Sequence, residues 1–251
     1  MTEKLHKKPL TADGHNRSFG RVASRMSPAE QTALDARLAP YAVDVGGGRK
    51  IDLKALFPVQ DGPLLVELGM GKGEQICVRA QANAGHRFIG CEVYRNGLEK
   101  VLRVIEAAGL SNLRLCPHDG RALLDSLPDA SVDNLLVLYP DPWPKKKHHK
   151  RRIVQADLLD AAARVLKPDG TLLLVTDIVD YALWMISTVY GHGVFFPTAI
   201  SPAEWAVQPE GWHPTGYEKK ALREGRKPFY LHFKRRAVQE NQAHNLKTPA
   251  C

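Results

Sequence analysis

Three acids stand where short apolar runs end, and their spacing is the first sign of chemistry in the chain. Glu67 opens the stretch Glu67-Leu68-Gly69-Met70-Gly71-Lys72-Gly73, just after the run from Leu64. A strand that turns through glycines into a helix lets the backbone come close to a cofactor. The dinucleotide fingerprint G-x-G-x-x-G needs a glycine at position 74. The chain has Glu74 there, which would set an anion beside a pyrophosphate. An acid two residues before the glycines instead suits a cofactor with a cationic amino group and no phosphate, and S-adenosylmethionine (SAM) has that character. Glu92 ends the next apolar run, 25 residues after Glu67. A carboxylate there can accept hydrogen bonds from both hydroxyls of a ribose. Asp119 follows the third run, where it is expected to meet the adenine amino group. Each acid alone is also a plain helix cap or loop residue; together they read as a cofactor edge.

A second group follows the fourth run. Pro140-Asp141-Pro142-Trp143-Pro144 is a stiff turn that would hold Asp141 and Trp143 in place. It leads into Lys145-Lys146-Lys147-His148-His149-Lys150-Arg151-Arg152, with six Lys/Arg and no acid. A charge run is often only a solvated face or a localisation signal. Beside a cofactor edge it reads as a phosphate-binding strip, and the pair implies a nucleic-acid substrate. Trp143 is open to two readings, a stacking surface for a base or a structural tryptophan. Late in the chain, Thr215 and Glu218 have the spacing of a helix capping box.

These residues need elements to position them. Leu64–Glu67, Arg87–Glu92, Leu113–Pro117, Val132–Leu138, Gly170–Thr176 and Phe229–Lys234 read as strands. Helical stretches near 74–83, 96–108, 152–166 and 179–190 separate them, and Ser27-Pro28-Ala29-Glu30 reads as a helix start. Continuous apolar strands between helices imply a mostly parallel sheet covered on both faces, with ligands at the carboxyl ends of the strands. The expected division is a flexible basic arm over 1–25, one domain over 26–236 and a polar tail over 237–251. The 251 residues carry 35 Lys/Arg against 27 Asp/Glu, a net charge of +8 that favours an anionic partner. No apolar run approaches the ~18 residues of a membrane span, and no secretory signal follows the basic start. The four cysteines form no C-x-x-C pair, so they read as reduced core thiols of a cytoplasmic protein. No cluster with metal-ligand spacing is visible.

Taken together, LVELGMGKG, IGCEVYRNGLEKVL, PDPWPKKKHHKRR, the late Thr176-Asp177 and T-x-Y-E resemble the bacterial tRNA (guanine-N(7)-)-methyltransferase family over about residues 15–235. The resemblance implies an α/β, Rossmann-like SAM-dependent methyltransferase fold, with about seven mostly parallel strands. It implies methyl transfer to a guanosine of the tRNA variable loop usually numbered 46. By motif, Glu67, Glu92, Asp119 and Asp141 match cofactor-binding acids beside Gly69, Gly71 and Gly73. Asp141 also matches the catalytic position. Lys145, Asp177 and the stretch Thr215, Gly216, Tyr217 and Glu218 match substrate-binding positions. Lys147, His148, His149, Lys150, Arg151 and Arg152 match the RNA-contacting tract. The chain departs from the family at Gly216, where a basic residue is common, and at Tyr217, where Phe is common. Two rivals stay open at this level: an NAD-dependent dehydrogenase and a non-catalytic RNA-binding module on the same fold. Monomer and homodimer are equally compatible with the sequence.

Overall fold

A computed structural model describes residues 26–237. The basic arm expected over 1–25 lies outside them, as does the expected tail apart from Ala237. The chain begins with α1 (Pro28–Leu38), whose capping box forms in full: Ser27 Oγ accepts from the Glu30 amide and Glu30 Oε2 accepts from the Ser27 amide. Leu34 and Leu38 are its buried face. Two ion pairs, Arg37–Glu106 and Arg95–Asp35, join α1 to the later helix α4 (Arg95–Ala108). A short α2 (Leu53–Leu56), capped by Asp52, precedes the sheet.

The strands are β1 (Leu64–Leu68), β2 (Arg87–Cys91), β3 (Leu113–Cys116), β4 (Val132–Leu138), β5 (Leu166–Thr176), β6 (Phe195–Pro197) and β7 (Phe229–Arg235). They form one sheet in the order β3-β2-β1-β4-β5-β7-β6. The first five run parallel; β7 pairs antiparallel with β5 and with β6. The other helices are α3 (Glu74–Ala82), α5 (Gly120–Ser126), α6 (Ala156–Val165), α7 (Val179–His192) and α8 (Gly216–Arg223). Side-chain alternation divides the apolar residues between two cores. Leu64, Val66 and Leu68 of β1 join Leu135, Val137, Leu172 and Leu174 on one face. Leu65 joins Phe88, Leu136, Leu138 and Leu173 on the other. A parallel sheet buried on both faces needs this double-sided apolar pattern.

Where structure and sequence reading differ, the cause is local. The helix expected over 152–166 starts only at Ala156, and Lys146–Arg151 forms a short 3-10 helix before it. β5 begins at Leu166, before Gly170, because Lys167-Pro168-Asp169-Gly170 continues the strand through an irregular register against β4. The short α5 and β6 fell below the length at which periodicity is legible. Among the described residues, no helix is long and apolar enough to cross a membrane, no group of residues could hold a metal ion, and Cys77, Cys91 and Cys116 are buried free thiols.

Candidate active site

The strand order reverses between β1 and β4: β1 leads through α3 to β2 on one side, while β4 lies on the other. Open α/β sheets bind ligands beyond the strand ends at such a point. A cavity of about 1020 Å³ opens here, walled by Glu67, Gly69, Gly71, Glu92, Tyr139 and Asp141, with Trp143, Lys150 and Arg151 on one side and Thr215–Tyr217 on the other.

The glycine loop is shaped by its neighbours. The Gly69 and Met70 amides both bond to the Cys91 carbonyl, at 2.8 and 3.0 Å, which folds the loop over the end of β2. Gly69, Gly71 and Gly73 all have positive φ, near 60–70°, where side chains are costly. A Cβ at Gly69 or Gly71 would meet nothing within 4 Å, so at both the backbone borders open cavity. Gly73 differs: it precedes α3, a Cβ there would strike Val101 at 2.4 Å, and it does not line the cavity. In this structure Gly73 gives α3 a close approach to Val101 of α4, while Gly69 and Gly71 border the cavity. Gly97 lets α4 press on the loop, since a Cβ there would meet the Gly71 carbonyl at 2.2 Å.

The acids differ in their bonding. Glu67 is buried, and its Oε2 has no hydrogen-bond partner. Burial pushes its carboxyl up to about 8, with Arg79 opposing and Glu74 and Glu92 adding to the rise. Glu92 is held by two backbone amides, Gly71 to Oε2 and Tyr94 to Oε1, both at 2.8 Å. Burial still lifts its carboxyl above the ordinary value. Asp119 caps α5 through the Arg121 amide at 2.9 Å and stands outside the cavity wall. Its Oδ1 is engaged in that cap, and Arg121 of the same segment lines the cavity, paired with Asp157 at 3.0 Å. Asp141 lines the cavity with no hydrogen bond or ion pair among the described residues, and partial desolvation raises its carboxyl.

Around Asp141 the backbone is strained. Tyr139 has φ 48° and Trp143 φ 44°, the left-handed region that non-glycine residues seldom adopt. Side chains hold both ends of the loop. Arg151 lies 4.9 Å over the Trp143 ring, and His148 meets its edge at 5.8 Å. Lys145, Lys146, Lys147 and Lys150 are exposed. His149 turns inward, with its ring 5.5 Å from Trp184 and its Nε2 3.9 Å from Asp180. Arg152 is corrected outright as an RNA contact: at 1% exposure it is the largest fully buried side chain among the described residues.

The late segment closes the cavity from the far end of the chain. Thr215 caps α8 by accepting from the Glu218 amide at 3.1 Å. The Glu218 carboxylate does not complete a capping box and is fully buried. Gln208 and Tyr230 donate to its Oε1 at 2.7 and 2.8 Å; Trp212 and Tyr139 donate to Oε2 at 2.6 and 3.2 Å. With both oxygens occupied and no exposure, Glu218 anchors the segment in this structure. Tyr217 is exposed and stacks on Tyr139 with centroids 6.4 Å apart. Gly216 sits 3.0 Å from Glu74 Oε1, measured from where a Cβ would stand. Asp177 is tied to Arg226 at 2.6 Å and lies off the cavity wall. The sequence reading missed Tyr139, Gln208, Trp212 and Tyr230 because neither spacing nor charge links them; only the fold converges them on Glu218.

This topology, with a cavity at its switch point, is the Rossmann-like fold of SAM-dependent methyltransferases. Solved structures of the same fold include an antibiotic-related methyltransferase, with a TM-score of 0.51 and 20% identity over 76% of this chain and 98% of that one. A 16S rRNA methyltransferase also matches, with a TM-score of 0.51 and 15% identity over 85% and 96%. The family model described as "Putative methyltransferase" matches residues 61–231. Curated tRNA (guanine-N(7)-)-methyltransferases are similar over most of their length: that of Rhodospirillum rubrum is 39% identical over 93% of both chains. The enzyme of Ruegeria pomeroyi is 43% identical over 90% of this chain and 97% of its own. The chain belongs to the tRNA (guanine-N(7)-)-methyltransferase family.

Proposed function

We propose that this protein transfers a methyl group from SAM to nitrogen 7 of a tRNA guanosine, the variable-loop position usually numbered 46, and does so in the cytoplasm as one methyltransferase domain over 26–236. The observation that carries the reading is Glu67 Oε2: a buried carboxylate oxygen without a donor, beside two glycines that border open cavity. A cationic amino group fits that deficit. Glu92, fixed by two amides, keeps acceptor capacity for ribose hydroxyls.

When bound, SAM supplies a methyl group on a cationic sulfur. Guanine N7 is an acceptor with a free lone pair and no proton to lose, so no general base is needed. Asp141 accepts from the guanine amino and ring N–H groups and so orients N7. Its charge also favours the positive charge that develops on the ring, and its partial desolvation strengthens that effect. The strained loop serves rigidity, since holding reactants in attack geometry supplies up to ~7–11 kcal/mol. Lys145, exposed at the loop's edge, and Asp177, just past the carboxyl end of β5, are the substrate contacts outside the cavity wall in this reading. Lys147, Lys150 and the exposed part of His148 grip phosphates.

Radiolabelled methyl transfer from SAM to unmodified tRNA, followed by nucleoside analysis, tests the reading. The expected product is 7-methylguanosine at one variable-loop position. Another nucleoside, or no transfer, would overturn it.

A further inference from the structure

The last residue of the basic tract has no access to RNA, yet it is bonded to the middle of the loop that carries Asp141. Arg152 Nε donates to the carbonyl of Pro142 at 2.9 Å. Its Nη2 is paired with Asp180 at the start of α7. Its guanidinium lies 4.8 Å over the Tyr181 ring and 5.1 Å over that of Trp184. Gln155 donates to the Arg152 carbonyl at 3.0 Å, which fixes the backbone from the other side. The planar cation therefore joins the loop between Asp141 and Trp143 to the α7 N-terminus, and the residue's own carbonyl ties it to the turn before α6.

Pro142 cannot hold itself in place by an amide hydrogen bond, because proline has no N–H. Pro140 and Pro144 lack one too, so the loop is poor in donors of its own. The carbonyl of Pro142 is the handle that remains between Asp141 and Trp143. The neighbouring residue grips the same loop differently, with Arg151 over the Trp143 ring. The strain at Tyr139 and Trp143 needs such restraint, since left-handed non-glycine residues persist only where their surroundings impose them.

We propose that Arg152 is a positioning residue for methyl transfer: it sets the Asp141-Pro142-Trp143 backbone through the Pro142 carbonyl and is itself set by Asp180, Tyr181 and Trp184. A lysine cannot replace it. An ammonium is a compact point charge without the planar fork needed to bond Pro142 and Asp180 while lying flat on two rings. The inference rests on Asp141 belonging to the catalytic loop, as proposed above.

The test compares Arg152→Lys and Asp180→Asn with wild type in the full chain. Asp180→Asn withdraws the anchor of Arg152 and leaves every lysine and arginine of the basic tract in place, at the cost of one 3.9 Å contact to His149. Single-turnover methylation of tRNA at saturating SAM should fall at least tenfold in each variant. Their tRNA affinity and its salt slope should stay within error of wild type. Hydrogen exchange of the Asp141 and Trp143 amides should be faster in both, a readout that needs no activity. The double variant should be scarcely slower than either single one, because both act through one contact. If wild-type protein makes no 7-methylguanosine, the proposed function fails, and the exchange data alone then decide the positioning role. Unchanged exchange and near-normal rates in folded variants would overturn the role. A salt slope shallower by about 0.7–0.9 in a third, charge-removing variant, Arg152→Gln, with a normal rate, would return Arg152 to the RNA surface. If Arg152→Lys fails to fold, Asp180→Asn carries the same test.

Discussion

Glu67 sits in the site with its carboxyl pushed up to about 8 because burial disfavours the charge. Its folded value lies above the ordinary 4.5, so its contribution to stability is fully present below about pH 4.5 and is lost as pH rises through about 8. A bound ammonium reverses the preference and favours the carboxylate. SAM affinity should therefore rise with pH over about 5.5–7, by up to about tenfold per unit, until the ligand's own amino group begins to titrate near ~8. Calorimetric titration across that range should also detect proton release. Glu67→Gln should bind more weakly and lose the slope; an equal slope in that variant would remove Glu67 from the amino-group site. Asp141 makes a different demand. Asp141→Asn keeps size and removes charge, so turnover should fall by about 10²-fold or more while tRNA affinity changes little. Single-turnover rates near wild type, at saturating SAM and tRNA, would end the catalytic assignment.

At the scale of elements, one motif has two fates. Ser27/Glu30 and Thr215/Glu218 share the S/T-x-x-E spacing. The first is exposed and forms both halves of a capping box; the second is buried and sends its carboxylate to four side-chain donors from three other parts of the chain. Glu218→Gln should then cost about 2–4 kcal/mol, because an amide donor replaces an acceptor among four donors. Denaturant unfolding reads this directly, and an unchanged midpoint would mean the cage contributes nothing. The basic tract is divided along its length. Its lysines are exposed while Arg151 and Arg152 are bound to the loop and to α7. Replacing Lys146, Lys147 and Lys150 with Ala should make the salt slope of tRNA binding shallower by about 2–3 and leave SAM affinity alone. Filter binding over a salt series checks this; an unaltered slope would shift the phosphate contacts to other cations, such as Lys219 and Lys220 of α8.

For the whole molecule, the cavity is bordered by segments from β1 to α8, so ligand binding and global stability are linked. SAM at a hundred times its dissociation constant should stabilise the fold by about 2.7 kcal/mol. In a domain of this size that raises the melting temperature by roughly 5–10 °C. Thermal melts with and without SAM should show this as one transition shifted intact. Glu92→Ala should lose most of the shift at the same ligand concentration. Two separate transitions would refute a single domain, and a full shift in Glu92→Ala would take the ribose contact away from Glu92.

Much of this organisation was legible in the residues themselves. Continuous apolar strands such as Leu64–Leu68 and Val132–Leu138 are unstable unless covered on both faces, which dictated a parallel sheet and put the chemistry at its carboxyl edge. Glycine at positive φ and an acid beside it are local demands, so Gly69, Gly71 and Glu67 announced themselves by type and spacing. Partners that share no fixed spacing left no such trace. That Glu218 accepts from four hidden donors, 6 to 79 residues away along the chain, depended on which groups the fold brought within about 3 Å. Charge deceived most at Arg152. In sequence it is the last cation of a basic run; in the structure it lies buried against two rings, a carboxylate and a proline carbonyl. Burial is a property of the assembled molecule, and only burial separates a cation that meets solvent from one that holds a loop.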